Sequence, residues 1–234
     1  MIFEAIAISV TDAKIAAQHG ADRLELITGI KEGGLTPSLG LIEGVLETVD
    51  IPVQIMVRPH SQSFVYGEDE IRTMIRDIQK LKPFAPKAGI VLGVLTPEGH
   101  IHEEALKRML DAAGDLEVTF HRAFDELSDQ FSGLQILSQY PQIKRILTSG
   151  GKPNVMDAAD RIKELVQAIR KTHLAILAGS GLRAEGLADF VAGTGVTQVH
   201  FGSAVRGPGG SSAPVSAEEI SKVRRILDQL SAQS

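Results

Sequence analysis

The sequence predicts a (β/α)8 barrel, and three observations carry that prediction. Short β-branched runs alternate eight times with longer segments of helical periodicity. No linker or shift of composition divides the alternation, so one α/β domain spanning 1–234 accounts for the chain. Several of the runs have one apolar and one polar face, whereas a flat parallel sheet covered on both sides reads as nearly continuous apolar runs. A closed TIM-type barrel places such polar faces along its axis. Six true units would instead leave an open doubly wound sheet, the alternative reading.

The elements follow in order. A first strand at 2–8 carries Glu4 within an apolar run, and a helix at 11–19 opens on Thr11 as its cap. The second strand, 22–26, alternates as Arg23-Leu24-Glu25-Leu26, and Ser38 caps a helix at 38–49. The third, 52–57, continues the alternation through Gln54-Ile55-Met56-Val57-Arg58 and leads to a helix at 68–82. Strand 88–92 precedes helix 102–113, and strand 117–121, Glu117-Val118-Thr119-Phe120-His121, precedes helix 131–139. Strand 143–148 is followed by helix 154–171, and strand 173–178 by helix 183–192. The last strand, 197–201, contains Gln198-Val199-His200-Phe201, and the helix at 216–229 begins with a capping-box-like Ser216-Ala217-Glu218-Glu219.

Composition excludes several classes of function. With 43% hydrophobic and 23% charged residues the chain can bury a core and solvate its surface, so disorder is excluded. The 24 basic and 29 acidic residues form no run of one sign, so no stripe is available to follow a phosphate backbone, and nucleic acid is not an expected partner. The absence of Cys removes disulfides, thiolate catalysis and Cys-ligated metal. No apolar run approaches the roughly 18 residues of a spanning helix, and the N-terminus lacks a basic leader. A cytoplasmic protein that avoids membranes is expected.

In a barrel the C-terminal ends of the strands form the functional face, and Glu25, Arg58, His121 and His200 stand at or near four such ends. A carboxylate, an imidazole and a guanidinium around one pocket would serve acid–base transfer with anion stabilisation. A buried ion-pair network, with Glu25 neutralising Arg23 or Arg58, is the purely structural reading. Arg122 and Asp125 follow His121 closely enough to pair across one turn. The catalytic candidates are therefore Glu25, Arg58, His121, Arg122 and Asp125. The anion-binding candidates are Gly150 and Gly151 after the sixth strand, Gly179 and Ser180 after the seventh, and Gly202 and Ser203 after the eighth. Glycine lets backbone N–H groups approach an anion, although it is also common in any βα turn. The expected ligand is small and anionic. His100-Ile101-His102 has the spacing of some metal sites but follows a turn and precedes a helix, so it is read as surface. His19 and His60 are read as a helix end and a loop residue, and 207–212 as a plain flexible loop.

One set of motifs points further. In order along the chain stand Arg23-Leu24-Glu25-Leu26, Glu32-Gly33-Gly34-Leu35-Thr36-Pro37-Ser38, Val57-Arg58-Pro59, Gly93-Val94-Leu95-Thr96-Pro97, Thr119-Phe120-His121-Arg122-Ala123-Phe124-Asp125 and Arg145-Ile146-Leu147-Thr148-Ser149-Gly150-Gly151. The sequence resembles the CutC family from the first strand to about Ser203. That resemblance implies a cytoplasmic, homo-oligomeric TIM barrel linked to copper homeostasis and copper binding, and it supplies no enzymatic activity. Copper as a cofactor is thus implied by the resemblance alone. Where many members carry Cys, this chain has Ile27 and Val65. Cu(I) prefers sulfur ligands, and Met1, Met56, Met74, Met109 and Met156 are scattered. A site of His121, His200 and Glu25 would suit Zn or Cu(II) better. Three functions stay open: a copper-homeostasis protein, a barrel enzyme acting on a small anionic or phosphorylated metabolite, and a non-catalytic oligomeric scaffold.

Overall fold

A computed structural model describes residues 1–232. Its parallel strands are β1 (Ile2–Ala7), β2 (Arg23–Leu26), β3 (Val53–Met56), β4 (Ala88–Leu92), β5 (Val118–Phe120), β6 (Ile143–Thr148), β7 (Ala175–Ala178) and β8 (Gln198–Phe201). They pair in sequence order, and β8 returns to pair with β1, so the sheet is a closed barrel and not the open alternative. The helices between and after them are α1 (Val10–His19), α2 (Leu39–Thr48), α3 (Glu68–Leu81), α4 (Glu103–Ala113), α5 (Gln130–Leu137), α6 (Ala159–Ala168), α7 (Leu187–Thr194) and α8 (Ala217–Ala232). Among the described residues no helix is long and apolar enough to cross a membrane.

Strand alternation divides the interior into two compartments. Phe3, Ala5, Leu24, Leu26, Ile55, Ile90, Leu92, Phe120 and Phe201 join the apolar layer between barrel and helices, where the rings of Phe3 and Phe201 meet edge to face at 5.4 Å. The opposite faces carry Glu4, Arg23, Glu25, Gln54, Thr119, Arg145 and His200, all buried. Higher in the lumen Ile27, Met56 and Val91 form a separate apolar cluster with Ile6, Ile8 and Ile30. The register sets the charged tier, because Glu4 lies level with Arg23 on one side and His200 on the other.

Local boundaries differ from the sequence expectation where a cap or a turn intervenes. The Ser38 and Ser216 hydroxyls accept from the N–H groups of Leu41 and Glu219, each at 3.3 Å. For α1 the cap is Ser9, which accepts from Asp12 N–H at 3.0 Å, so the helix starts before Thr11. The segment 154–171 opens as a 3-10 turn, Val155–Ala158, capped by the Asn154 side chain. Helix α7 starts later than expected because Gly186, at φ 78°, holds a backbone conformation that a helix does not continue. The loop 207–212 is closed at its base: Gly207 N–H donates to Pro214 O at 3.0 Å, and Arg206 reaches Ala213 O at 2.8 Å and Asp12 Oδ2 at 3.0 Å.

Candidate functional site

A cavity of about 360 Å³ opens at the C-terminal end of the barrel. Glu25, Arg58, His121 and Arg122 line it together with His200, and Ile27, Met56, Phe64 and Leu147 supply its apolar wall. Each of the four comes from a strand end or the residues just after one, which is why the closed barrel converges them.

Below the cavity floor the lumen is held by an ion network. Glu4 pairs with Arg23 through one carboxylate oxygen and with His200 Nδ1, at 2.8 Å, through the other. Arg23 also donates to Gln198 Oε1 at 2.8 Å, and Arg145 donates to Thr119 Oγ1 at 3.2 Å and Glu117 Oε2 at 2.6 Å. Burial alone would raise the Glu4 pKa, but Arg23 and His200 outweigh it and hold the group at about 2. Glu25 sits 3.8 Å from His200 Nε2 through Oε2, while its Oε1 is buried without a protein partner. Burial, assisted by Glu4, pushes the Glu25 carboxyl up to about 7 against the opposing pull of His200 and Arg23. For His200, burial disfavours the imidazolium, yet Glu25 and Glu4 together outweigh that cost and raise its pKa.

Arg58 is positioned by the loop after β2. Its Nη1 donates to Glu32 O at 3.1 Å and Gly34 O at 3.2 Å, and the Thr36 hydroxyl accepts from its backbone N–H at 2.9 Å. The guanidinium also stacks on Phe64 at 4.7 Å. The Glu32–Thr36 string seen in the sequence is therefore the cradle of Arg58. Among the described residues no carboxylate pairs with this cation. His121 caps the 3-10 turn Arg122–Glu126, its Nδ1 accepting from Ala123 N–H at 3.1 Å, and its Nε2 is buried with no protein partner. Burial first, then Arg58 and Arg122, lower its pKa to about 3.

Asp125 does not line the cavity. Its carboxylate accepts from Thr148 Oγ1, from Ser149 N–H at 3.1 Å, from Ser149 Oγ at 2.9 Å and from Gly151 N–H at 3.2 Å, and it pairs with Arg122 Nε at 2.8 Å. These bonds tie the loop after β5 to the loop after β6. The anion-binding candidates divide likewise. Gly150, Gly151 and Gly179 spend their N–H groups internally, on Thr148 Oγ1 at 2.9 Å, Asp125 Oδ1 at 3.2 Å and Thr148 O at 3.0 Å. They therefore have no backbone donor to offer an anion. Ser180, Gly202 and Ser203 do line the cavity, and among the described residues their N–H groups meet no protein acceptor.

His100 bonds Ser128 Oγ at 3.2 Å through Nδ1 and His102 caps α4 by accepting from Ala105 N–H at 3.3 Å, and among the described residues neither belongs to a group of three His or carboxylate residues close enough to share an ion. Among the described residues the His and carboxylate atoms close enough to share an ion belong to Glu4, Glu25 and His200. Glu4 was not among the sequence candidates, and its signal was a lone charge inside the strand alternation of β1. Phe64 carried no signal, since nothing local marks a loop aromatic that will stack on a distant Arg.

The profile of the CutC family matches residues 1–205. A family protein CutC from Salmonella enteritidis PT4 is 37% identical over 233 residues, which cover 95% of this chain and 92% of that one. A solved CutC copper homeostasis protein from Streptococcus agalactiae superposes with a TM-score of 0.79 at 33% identity, covering 86% of this chain and 98% of that chain. A phosphoribosyl anthranilate isomerase from Thermococcus kodakaraensis aligns at TM-score 0.61 and 13% identity, over 97% of this chain and 98% of that one, a likeness of fold alone.

Proposed function

The chain belongs to the CutC family, and from that premise we propose that it is a barrel enzyme that binds a small organic anion in the strand-end cavity and moves a proton with Glu25. One observation carries the reading. Glu25 Oε1 and His121 Nε2 are buried without protein partners on residues that line the same cavity. A buried polar atom left unpaired costs about 1–3 kcal/mol, and a polar ligand in the cavity would satisfy both. Arg58 adds a cation with no carboxylate partner among the described residues, and the N–H groups of Ser180, Gly202 and Ser203 add uncharged donors. Together they favour negative charge on the ligand. A carboxyl near neutral pKa is suited to take and return a proton at physiological pH.

Copper homeostasis is the role named for the Streptococcus relative, and copper binding by this chain has weak chemical support. Cys is absent, and Met56 is the methionine in the cavity while Met74 and Met109 fill the apolar layer. The grouped set Glu4, Glu25 and His200 is already an ion network, with both oxygens of Glu4 engaged by Arg23 and His200. These residues do not fit a tight Cu(I) centre. Cytoplasmic location and homo-oligomerisation belong to the same proposal and are tested by cell fractionation and light scattering.

Thermal melting with phosphate, oxalate and pyruvate at millimolar concentration tests the reading. A ligand that binds the folded state raises the melting temperature, and Arg58→Gln is expected to remove the rise. No rise with any of the three would overturn the proposal.

A further inference from the structure

We propose that the cavity carries out proton transfer next to a carbonyl group, with His121 as the neutral donor that holds the carbonyl oxygen and Glu25 as the base that takes and returns the carbon-bound proton. This rests on the anion-binding reading above and adds a reaction class to it.

The tautomer of His121 follows from its surroundings. An amide N–H can be accepted only by a ring nitrogen with a free lone pair, so the bond from Ala123 leaves Nδ1 unprotonated and the hydrogen on Nε2. Packing steadies the ring in that orientation. Phe64 lies against it with centroids 4.7 Å apart. On the Nδ1 side Gly93 approaches so closely that a Cβ there would stand 2.6 Å from both Cε1 and Nδ1. The sequence string Gly93-Val94-Leu95 thus begins with a residue whose missing side chain makes room for the imidazole. Nε2–H is left as a buried donor without a protein acceptor, on a residue of the cavity wall.

A neutral imidazole is the right partner for an enolate oxygen. It stabilises charge that develops on oxygen without adding a strong acid to the site that would neutralise the base. Burial, Arg58 and Arg122 keep this ring neutral well below physiological pH. In the step itself Glu25 carboxylate takes the proton from the carbon beside the carbonyl. The C–H electron pair becomes the carbon–carbon double bond, and the carbonyl π pair moves onto the oxygen held by His121 Nε2–H. Return of the proton to the same carbon completes an exchange, and its delivery to the oxygen gives the enol. Where the first carbon bears a hydroxyl that passes its proton to the enolate oxygen, return to the former carbonyl carbon completes an isomerisation, in each case with no net oxidation. Acyl transfer is disfavoured: among the described residues no serine of the cavity bonds to Glu25, His121 or His200, and Ser180 Oγ donates to Pro153 O at 2.9 Å.

The test has two arms. Ring 15N spectra of the protein, with His121→Phe to assign the signal, should show the Nε2–H tautomer of His121 at neutral pH. Imidazolium or an Nδ1–H tautomer there would overturn the inference. In D2O, with pyruvate, oxaloacetate and dihydroxyacetone phosphate as probes, proton NMR should show loss of C–H signal beyond the buffer rate for at least one. Glu25→Gln should slow that exchange about 100-fold or more. Gly93→Ala, which displaces the ring but keeps it, should slow exchange about 10- to 100-fold. Binding of a probe without exchange, or exchange undiminished in Glu25→Gln, overturns this inference and leaves the anion reading standing. Failure of all three probes to bind overturns this inference, and the anion reading falls with it only if phosphate and oxalate also leave the melting temperature unchanged.

Discussion

Replacing Glu25 by glutamine is expected to stabilise the protein at alkaline pH and to leave it nearly unchanged in mild acid. The carboxyl is buried, and its pKa rises from 4.5 in the unfolded chain to about 7 in the fold. Between those values the folded state holds a proton that the unfolded state has lost, so stability falls as pH rises through the window. Above about pH 7 the cost is constant, and a shift of this size corresponds to about 3 kcal/mol at 1.36 kcal/mol per pKa unit. Glu4 and His200 titrate with Glu25 as one coupled set, and His200 loses an attractive neighbour in the variant, so a net gain of about 1–3 kcal/mol is expected. At about 2 kcal/mol the melting temperature should rise by roughly 4–8 °C for a chain of this size. Melting both proteins at about pH 5 and about pH 8 makes the measurement, with the gain confined to the higher pH. A variant less stable than wild type at the higher pH, or one whose difference does not change with pH, would refute the reasoning. A residue whose charge destabilises its own fold is what a site maintained for chemistry looks like.

Asp125→Ala should cost about 2–4 kcal/mol in urea denaturation, because its carboxylate holds Thr148, Ser149, Gly151 and Arg122 in one loop junction and leaves their donors unpaired when removed; a loss below about 1 kcal/mol would contradict that role. Asp12→Ala strands the fully buried Arg206 guanidinium and releases Val215 N–H, bonded at 3.0 Å, so a loss of about 3–5 kcal/mol is expected by the same assay. Lowering the pH toward about 2 should remove the stabilisation contributed by Glu4, whose depressed pKa favours the fold above about 4.5 and loses that effect as the carboxylate protonates; a Glu4→Gln variant should melt with a flatter acid limb. In competition with a strong Cu(I) chelator the protein should retain no stoichiometric copper, and retention would show that the ligand argument is wrong.

Much of this protein was legible before its structure. The count of β/α units, their order and the placement of Glu25, Arg58 and His121 at strand ends follow from alternation of side-chain type, a local property with periods of two and 3.6. Alternation also indicated which face of β2, β3 and β8 turns inward, since an apolar face must be covered by helices and a polar one has only the lumen. Closure of the sheet, the pairing of Glu4 with residues 19 and 196 positions away, and the stacking of Phe64 on Arg58 were decided by the tertiary structure. Each depends on register between strands that are distant in sequence. The same limit explains the glycine loops. Gly150, Gly151 and Gly179 look like Ser180 and Gly202 in the sequence, but whether a backbone N–H is free for a ligand depends on the acceptor that folding brings to it. For Gly151 that acceptor is Asp125, 26 residues earlier, and for Ser180 and Gly202 the described residues supply none.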